Sequence, residues 1–209
     1  MIELLAQLIF GFIIALTGAL IPGPLSLFVV TTTVKTGEKK TGLSAGLGHC
    51  LVEIIIIAII VMGLTTLFSS QQFQIAVNLI GGGALIMFGV LNIRTTKTTQ
   101  TEIKTAKARG SSLIGGVVFT IFNATIPLWW ATTGLMMLNH ALLTTSMLGV
   151  FFWVIGHWIA DLLWFGFLGY SVHKGKRYIG EEFHLSIIKI CGLAMIFLGT
   201  FFVLSIFYR

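Results

Sequence analysis

Two short segments carry the side chains most able to do chemistry. Gly48-His49-Cys50-Leu51-Val52-Glu53 and Gly156-His157-Trp158-Ile159-Ala160-Asp161 share the pattern Gly-His-x-x-x-acid. An imidazole and a carboxylate four residues apart lie on one face of a helix. Such a pair can hold and pass a proton or receive an ammonium group. Two pairs brought together also offer two ring nitrogens and two carboxylates, an N/O set that suits a divalent metal. The prolines point to a second kind of site. Leu20-Ile21-Pro22-Gly23-Pro24 removes two backbone donors, so a helix should break there. The half-helix that follows should aim its N–H groups, from about Pro24 to Leu27, at an anionic group. Pro127 is a weaker counterpart, with Thr120, Asn123 and Thr125 as polar neighbours. Trp129 and Trp130 could wall a solute or stack a cation, and packing explains them equally well. The usual hydrolase and nucleotide motifs are read as absent. An intramembrane metal-dependent hydrolase using the His/acid ligands is a remote alternative that lacks a separate general base.

These residues sit in long apolar runs. Of 209 residues 56% are hydrophobic and only 10% charged, with a mean hydropathy of +0.99. That excludes a water-soluble globule and a disordered chain. Two cysteines, Cys50 and Cys191, fall in separate apolar segments and make no disulfide framework. Runs nearly free of charge cover residues 4–34, 43–68, 75–93, 112–138, 144–172 and 185–208. Their lengths and their lack of strand alternation predict an all-α integral membrane protein with six transmembrane helices. The first run is expected to be a retained span: Glu3 replaces a basic n-region, and the apolar stretch reaches Val34. Glu53 lies about ten residues past Leu43, hence about 15 Å deep, near the centre of a roughly 30 Å core. Asp161 is comparably central in its own span. A carboxylate at that depth costs about 3 kcal/mol on insertion scales and marks an ion, proton or substrate path.

Lys35, Lys39 and Lys40 in the first loop, Arg94, Lys97, Lys104, Lys107 and Arg109 in the third, and Lys174, Lys176 and Arg177 in the fifth set the orientation. Basic loops stay cytoplasmic, so both termini are expected to be extracytoplasmic. This placement accounts for the net charge of +6 without a nucleic-acid partner. The halves also match in order: Pro22 to Pro127 is an offset of 105, the acids 108, and the Gly82–Gly89 and Gly192–Gly199 stretches 110. The chain then reads as one transporter domain, 1–209, with repeat one at about 1–93, a basic linker at 94–111 and repeat two at 112–209. Three spans per repeat is an odd number, so the repeats must be inverted. The first helix, and with a weaker signal the fourth, should be broken. Interrupted helices at matching places in inverted repeats are a pointer to a secondary transporter with a midplane site.

Thr17-Gly18-Ala19-Leu20-Ile21-Pro22-Gly23-Pro24, the basic Lys35–Lys40 loop, Gly42-x3-Gly46 and Gly48-His49-x3-Glu53 together resemble the lysine-exporter (LysE/RhtB type) superfamily over essentially the whole chain. The resemblance implies a multi-pass exporter in a prokaryotic plasma membrane, driven by the proton gradient and carrying amino acids or related small solutes. Such proteins often carry adjacent Asn-Pro in the fourth helix; here Ala124 follows Asn123 and the proline stands at 127. The expected mechanism is alternating access. The substrate carboxylate would lie at Pro22, Gly23 and Pro24, its ammonium near Glu53 and Asp161, with His49 and His157 relaying the proton and Asn123 and Pro127 contributing from the second half. The partners are then the solute, protons and the bilayer, with no cofactor; a homo-oligomer stays open. Because the wider superfamily also exports divalent metals, the alternative is a metal exporter using His49, Glu53, His157 and Asp161 as ligands.

Overall fold

The structure, a computed structural model, describes residues 1–20, 23–63, 71–94, 108–123, 125–178 and 180–208. Among these it is wholly helical. The first apolar run forms α1 (Ile2–Ala19) and α2 (Pro24–Thr36), separated by a break. The cause is local. A residue before proline is pushed out of the helical region, and Gly23 is extended at φ −123°, ψ −177°. Pro24 then restarts the helix at its first turn, where a missing N–H costs nothing. Gly37, at φ 73°, ends α2 in the left-handed conformation and donates its N–H to the Thr33 carbonyl at 2.8 Å.

Next come α3 (Thr41–Val61) and α4 (Gln71–Ile93). The fourth apolar run begins as α5 (Ala108–Ile121) and restarts as α6 (Thr125–Trp129), which passes through a π-helical turn, Trp130–Gly134, into α7 (Leu135–Gly175). The helix α7 is itself interrupted at Thr145 (φ −140°) and Ser146 (φ 58°), just inside the start of the fifth run rather than in the gap expected before residue 144. The chain closes with α8 (Glu181–Leu204). Five stretches are long and apolar enough to cross a membrane: Ile2–Ala19, Thr41–Val61, Gln71–Ile93, Thr125–Gly175 and Leu185–Phe207. A shorter apolar helix covers Ser112–Ile121. The outward faces carry large exposed apolar side chains such as Ile55, Ile80, Leu163, Phe197 and Phe201, as a lipid solvent permits.

The second break corrects the reading of Pro127. That proline sits in the first turn of α6, where its missing donor has no intrahelical partner to lose. The interruption lies upstream, where Asn123 accepts from the Thr125 N–H (3.1 Å) and hydroxyl (2.8 Å). Asn123 thus caps α6 with its own side chain. A second correction concerns motifs. Gly42-Leu43-Ser44-Ala45-Gly46 does have Gly-x-Ser-x-Gly spacing, but it lies inside continuous α3 rather than on a strand-to-helix elbow, so no exposed nucleophile results.

Packing is set by glycines. α1 runs along α7, α4 along α8, and α3 along both α5 and α7, while α2 touches α3, α5, α7 and α8. A Cβ on Gly11 would lie 2.0 Å from the Trp153 carbonyl oxygen, and one on Gly116 would lie 2.1 Å from that of Ala45. Likewise Gly48 would meet the Leu113 carbonyl at 2.2 Å and Gly156 the Leu8 carbonyl at 2.0 Å. Gly82 faces Gly199, and Gly89 faces Gly192. Small residues let backbones approach in this way where no hydrophobic force drives helices together.

Two apolar clusters flank the middle. One joins Val52, Ile56, Trp130, Trp153 and Val154 with their neighbours; the other joins Leu25, Val29, Ala45, Phe165 and Met195. Along α3 and again along α7, His49, Glu53, His157 and Asp161 fall between them. The basic end is more structured than expected from its loops. Lys35 belongs to the last turn of α2, half-buried, and donates to Asn92 Oδ1 at 2.6 Å. His173 bonds the Gly37 carbonyl at 2.7 Å and Lys176 donates to the Val34 carbonyl, so residues at the end of α7 satisfy carbonyls at the end of α2. The third loop, residues 95–107, lies outside the described residues.

Candidate functional site

The two His/acid pairs meet. α3 and α7 run antiparallel, with Gly42 against Phe165 and Gly169 at one end. That crossing brings His49 and Glu53 opposite Asp161 and His157. His157 Nε2 lies 3.2 Å from Glu53 Oε1 and 3.2 Å from Asp161 Oδ2. His49 Nε2 lies 3.3 Å from the same Glu53 oxygen and 3.8 Å from Asp161 Oδ2. All four side chains are buried, none more than 5% exposed.

Two further residues complete the cluster, and the sequence reading had given neither a place in it. Trp130 donates its indole N–H to Glu53 Oε1 at 3.0 Å. A buried indole usually finds an acceptor, which is a weak signal in this chain because the Nε1 atoms of Trp153, Trp158 and Trp164 are buried without one among the described residues. Thr120 bonds His49 Nδ1 at 2.9 Å, while its own hydroxyl donates to the Gly116 carbonyl at 2.7 Å. With that proton committed, Thr120 must accept, so the network assigns the Nδ1 proton to His49. His49 Nε2 then faces two carboxylate oxygens, an arrangement that is favourable only with a proton between them. Replacing Trp130 by Phe deletes one hydrogen bond to a charged acceptor and, because phenyl is smaller than indole, leaves a void at a fully buried position. It should cost about 1.5–3 kcal/mol or more, read as a lower thermal midpoint in detergent.

A cavity of about 240 Å³ opens beside these groups, against roughly 10–15 Å³ needed to seat one water. His49, Glu53, His157 and Asp161 line one side. Gly23, Pro24, Leu25 and Ser26 at the start of α2 line another, with Asn123 and Thr125 from the second break. The first-turn N–H groups of Leu25 and Ser26 have no intrahelical acceptor, and no side chain caps α2. Leu27 differs from expectation: its N–H is used on the Gly23 carbonyl at 3.1 Å. Glu53 Oε2 and His157 Nδ1 are buried without a hydrogen-bond partner among the described residues, whereas Asp161 Oδ2 has the two imidazoles, His157 at 3.2 Å and His49 at 3.8 Å. Polar atoms orphaned beside a cavity are costly unless something occupies it. Of the other sequence-derived candidates, Pro127 is not among the lining residues and Pro22 lies outside the described ones.

The sequence model of a family described as LysE type translocator matches residues 16–206. The chain belongs to that family. Members of the LysE type translocator family are transporters rather than enzymes, which fits a multi-pass helical chain with a largely apolar cavity that carries His49, Glu53, His157 and Asp161 on one side. No curated protein and no solved structure matches the chain. The translocator match takes in both breaks and all four members of the His/acid cluster.

Proposed function

We propose that this translocator is a proton-coupled exporter of amino acids or related small zwitterions, working by alternating access in a plasma membrane. The observation that carries this reading is one cavity with opposite electrostatic ends. The uncapped start of α2 presents N–H groups and the positive end of a helix dipole, which suits a carboxylate. Glu53 and Asp161 bring two carboxylates to the wall of the same space, which suits an ammonium. The second break cannot serve equally, because Asn123 already caps α6. Only one carboxylate position therefore follows. The proton held between His49 and the acids supplies the coupling: arrival of a substrate ammonium at the carboxylates would compete with it.

The six spans, the inverted repeats and the extracytoplasmic termini belong to the same proposal. Support comes from the glycine contacts. Applying the offsets of 105 for the first helix, 108 for the second and 110 for the third turns the Gly11–Trp153 contact into Gly116–Ala45 with the halves exchanged. It turns Gly48–Leu113 into Gly156–Leu8 and Gly82–Gly199 into Gly192–Gly89. Contacts that exchange in this manner are those of a two-fold axis relating the halves.

A second reading has its own observation. Donor atoms of His49, Glu53 and Asp161 all lie within 4.8 Å of one another, close enough to surround one cation. A divalent-metal cargo would use that cluster and leave most of the cavity unexplained. Thermal unfolding of purified protein separates the two. A ligand at a hundred times its Kd adds about 2.7 kcal/mol. Stabilisation by amino acids, lost in Asp161→Asn, is the expected result; stabilisation by zinc or nickel alone would replace the amino-acid reading with the metal one.

A further inference from the structure

We infer that the solute carries an uncharged, apolar side chain, and that Gly18 sets how large it can be. This rests on the amino-acid reading above. With both charged ends of the zwitterion assigned, the rest of the wall is what the side chain meets: Ala15, Gly18, Ala19, Ile126, Trp129 and Leu198. None of these is ionisable. Of the polar groups nearby, Thr120 is held by His49 and the Gly116 carbonyl, the Trp130 N–H by Glu53 and the Thr125 hydroxyl by Asn123, and Ser26, also on the wall, carries no charge. A lysine or arginine side chain would bring a second cation. One cation can sit at Glu53 and Asp161, which leaves the other on an apolar wall or against the positive end of α2. An aspartate or glutamate side chain would bring a second anion to a cavity with one uncapped helix start. Charged side chains are therefore rejected by the absence of a partner rather than by size.

Size is set where the two halves differ. The wall from α1 is small, with Ala15, Gly18 and Ala19, while the facing wall from α6 is bulky. A Cβ on Gly18 would lie 3.3 Å from Trp129 Nε1 and 3.7 Å from two further indole atoms. The hydrogen of Gly18 is thus the floor between the first broken helix and the Trp129 ring. Any side chain added there takes space from the solute.

Counterflow in proteoliposomes loaded with unlabelled amino acid, with labelled leucine outside, tests the inference. Leucine, methionine and phenylalanine should exchange, and lysine, arginine and glutamate should compete at least about a hundredfold less well. Lysine or glutamate exchanging as well as leucine would overturn the inference and leave the amino-acid reading standing; no exchange with any amino acid would remove both. Within one protein, Gly18→Ala and Gly18→Val should lower the phenylalanine-to-alanine exchange ratio progressively, by about tenfold in the valine variant. Using a ratio removes any loss of folded protein from the result. An unchanged ratio in both variants would overturn the role of Gly18.

Discussion

Replacing Glu53 by Gln is expected to abolish transport driven by a pH gradient, lowering accumulation in proteoliposomes at least about a hundredfold, equivalent to about 2.7 kcal/mol. Glu53 Oε1 is the shared acceptor of the cluster, receiving Trp130 at 3.0 Å and lying 3.2 and 3.3 Å from the two imidazoles. Glutamine reproduces the shape and one acceptor oxygen. It cannot hold a negative charge, which leaves Asp161, 3.2 Å from His157 and 3.8 Å from His49, as the one carboxylate of the cluster to balance a proton on either imidazole. Removing one partner of a buried ion pair costs about 3–5 kcal/mol. On the proposed mechanism the imidazoles then hold the coupling proton far less well. Glu53→Asp keeps the charge one methylene short of its partners and should retain a measurable fraction of the driven transport. Gradient-driven accumulation by Glu53→Gln at the wild-type level would remove Glu53 from the coupling path. Retained folding in both variants is checked by their elution and thermal midpoints.

What the sequence could reveal was fixed by short-range rules. The i, i+4 spacing places His49 with Glu53 and His157 with Asp161 on any helix. Pro24 and its effect on Gly23 dictate a break whatever surrounds it. That the pairs would meet depended on how α3 and α7 are rotated and crossed, which their glycines decide and periodicity does not. Trp130 lies 77 positions from Glu53, so their bond was visible only weakly, through the tendency of a buried indole to find an acceptor. The second break lies elsewhere than its proline suggests: the Asn123 side chain, by capping α6, ends one helix and starts the next three residues after Phe122. Lys35 reads as a loop residue because its charge suits a cytoplasmic surface. It lies instead in the last turn of α2 and satisfies Asn92 on α4.

The proposed inverted repeat makes a prediction about stability that no single contact would make: alanine at symmetry-related glycines should cost the same. Gly11→Ala puts a methyl 2.0 Å from the Trp153 carbonyl oxygen, and Gly116→Ala puts one 2.1 Å from that of Ala45. Neither obstacle is the flexible end of a side chain. Two backbones must separate by more than an ångström, breaking the packing along α1–α7 in one case and α3–α5 in the other. Overpacking of this kind costs about 1–3 kcal/mol or more per site. Gly48→Ala and Gly156→Ala form a second pair, at 2.2 and 2.0 Å. Gly83→Ala and Gly166→Ala are the references: nothing lies within 4 Å of either added methyl, and trading glycine for alanine inside a helix gains about 0.5–1 kcal/mol. Thermal midpoints in one detergent should then fall into three groups: two matched pairs well below wild type, and the references at or above it. Within each pair the values should agree to about 0.5 kcal/mol, since each member removes the same helix–helix contact as seen from opposite halves. A mild Gly11→Ala beside a severe Gly116→Ala would mean that the matched distances do not reflect matched energetics, and the two-fold relation between the halves would fall.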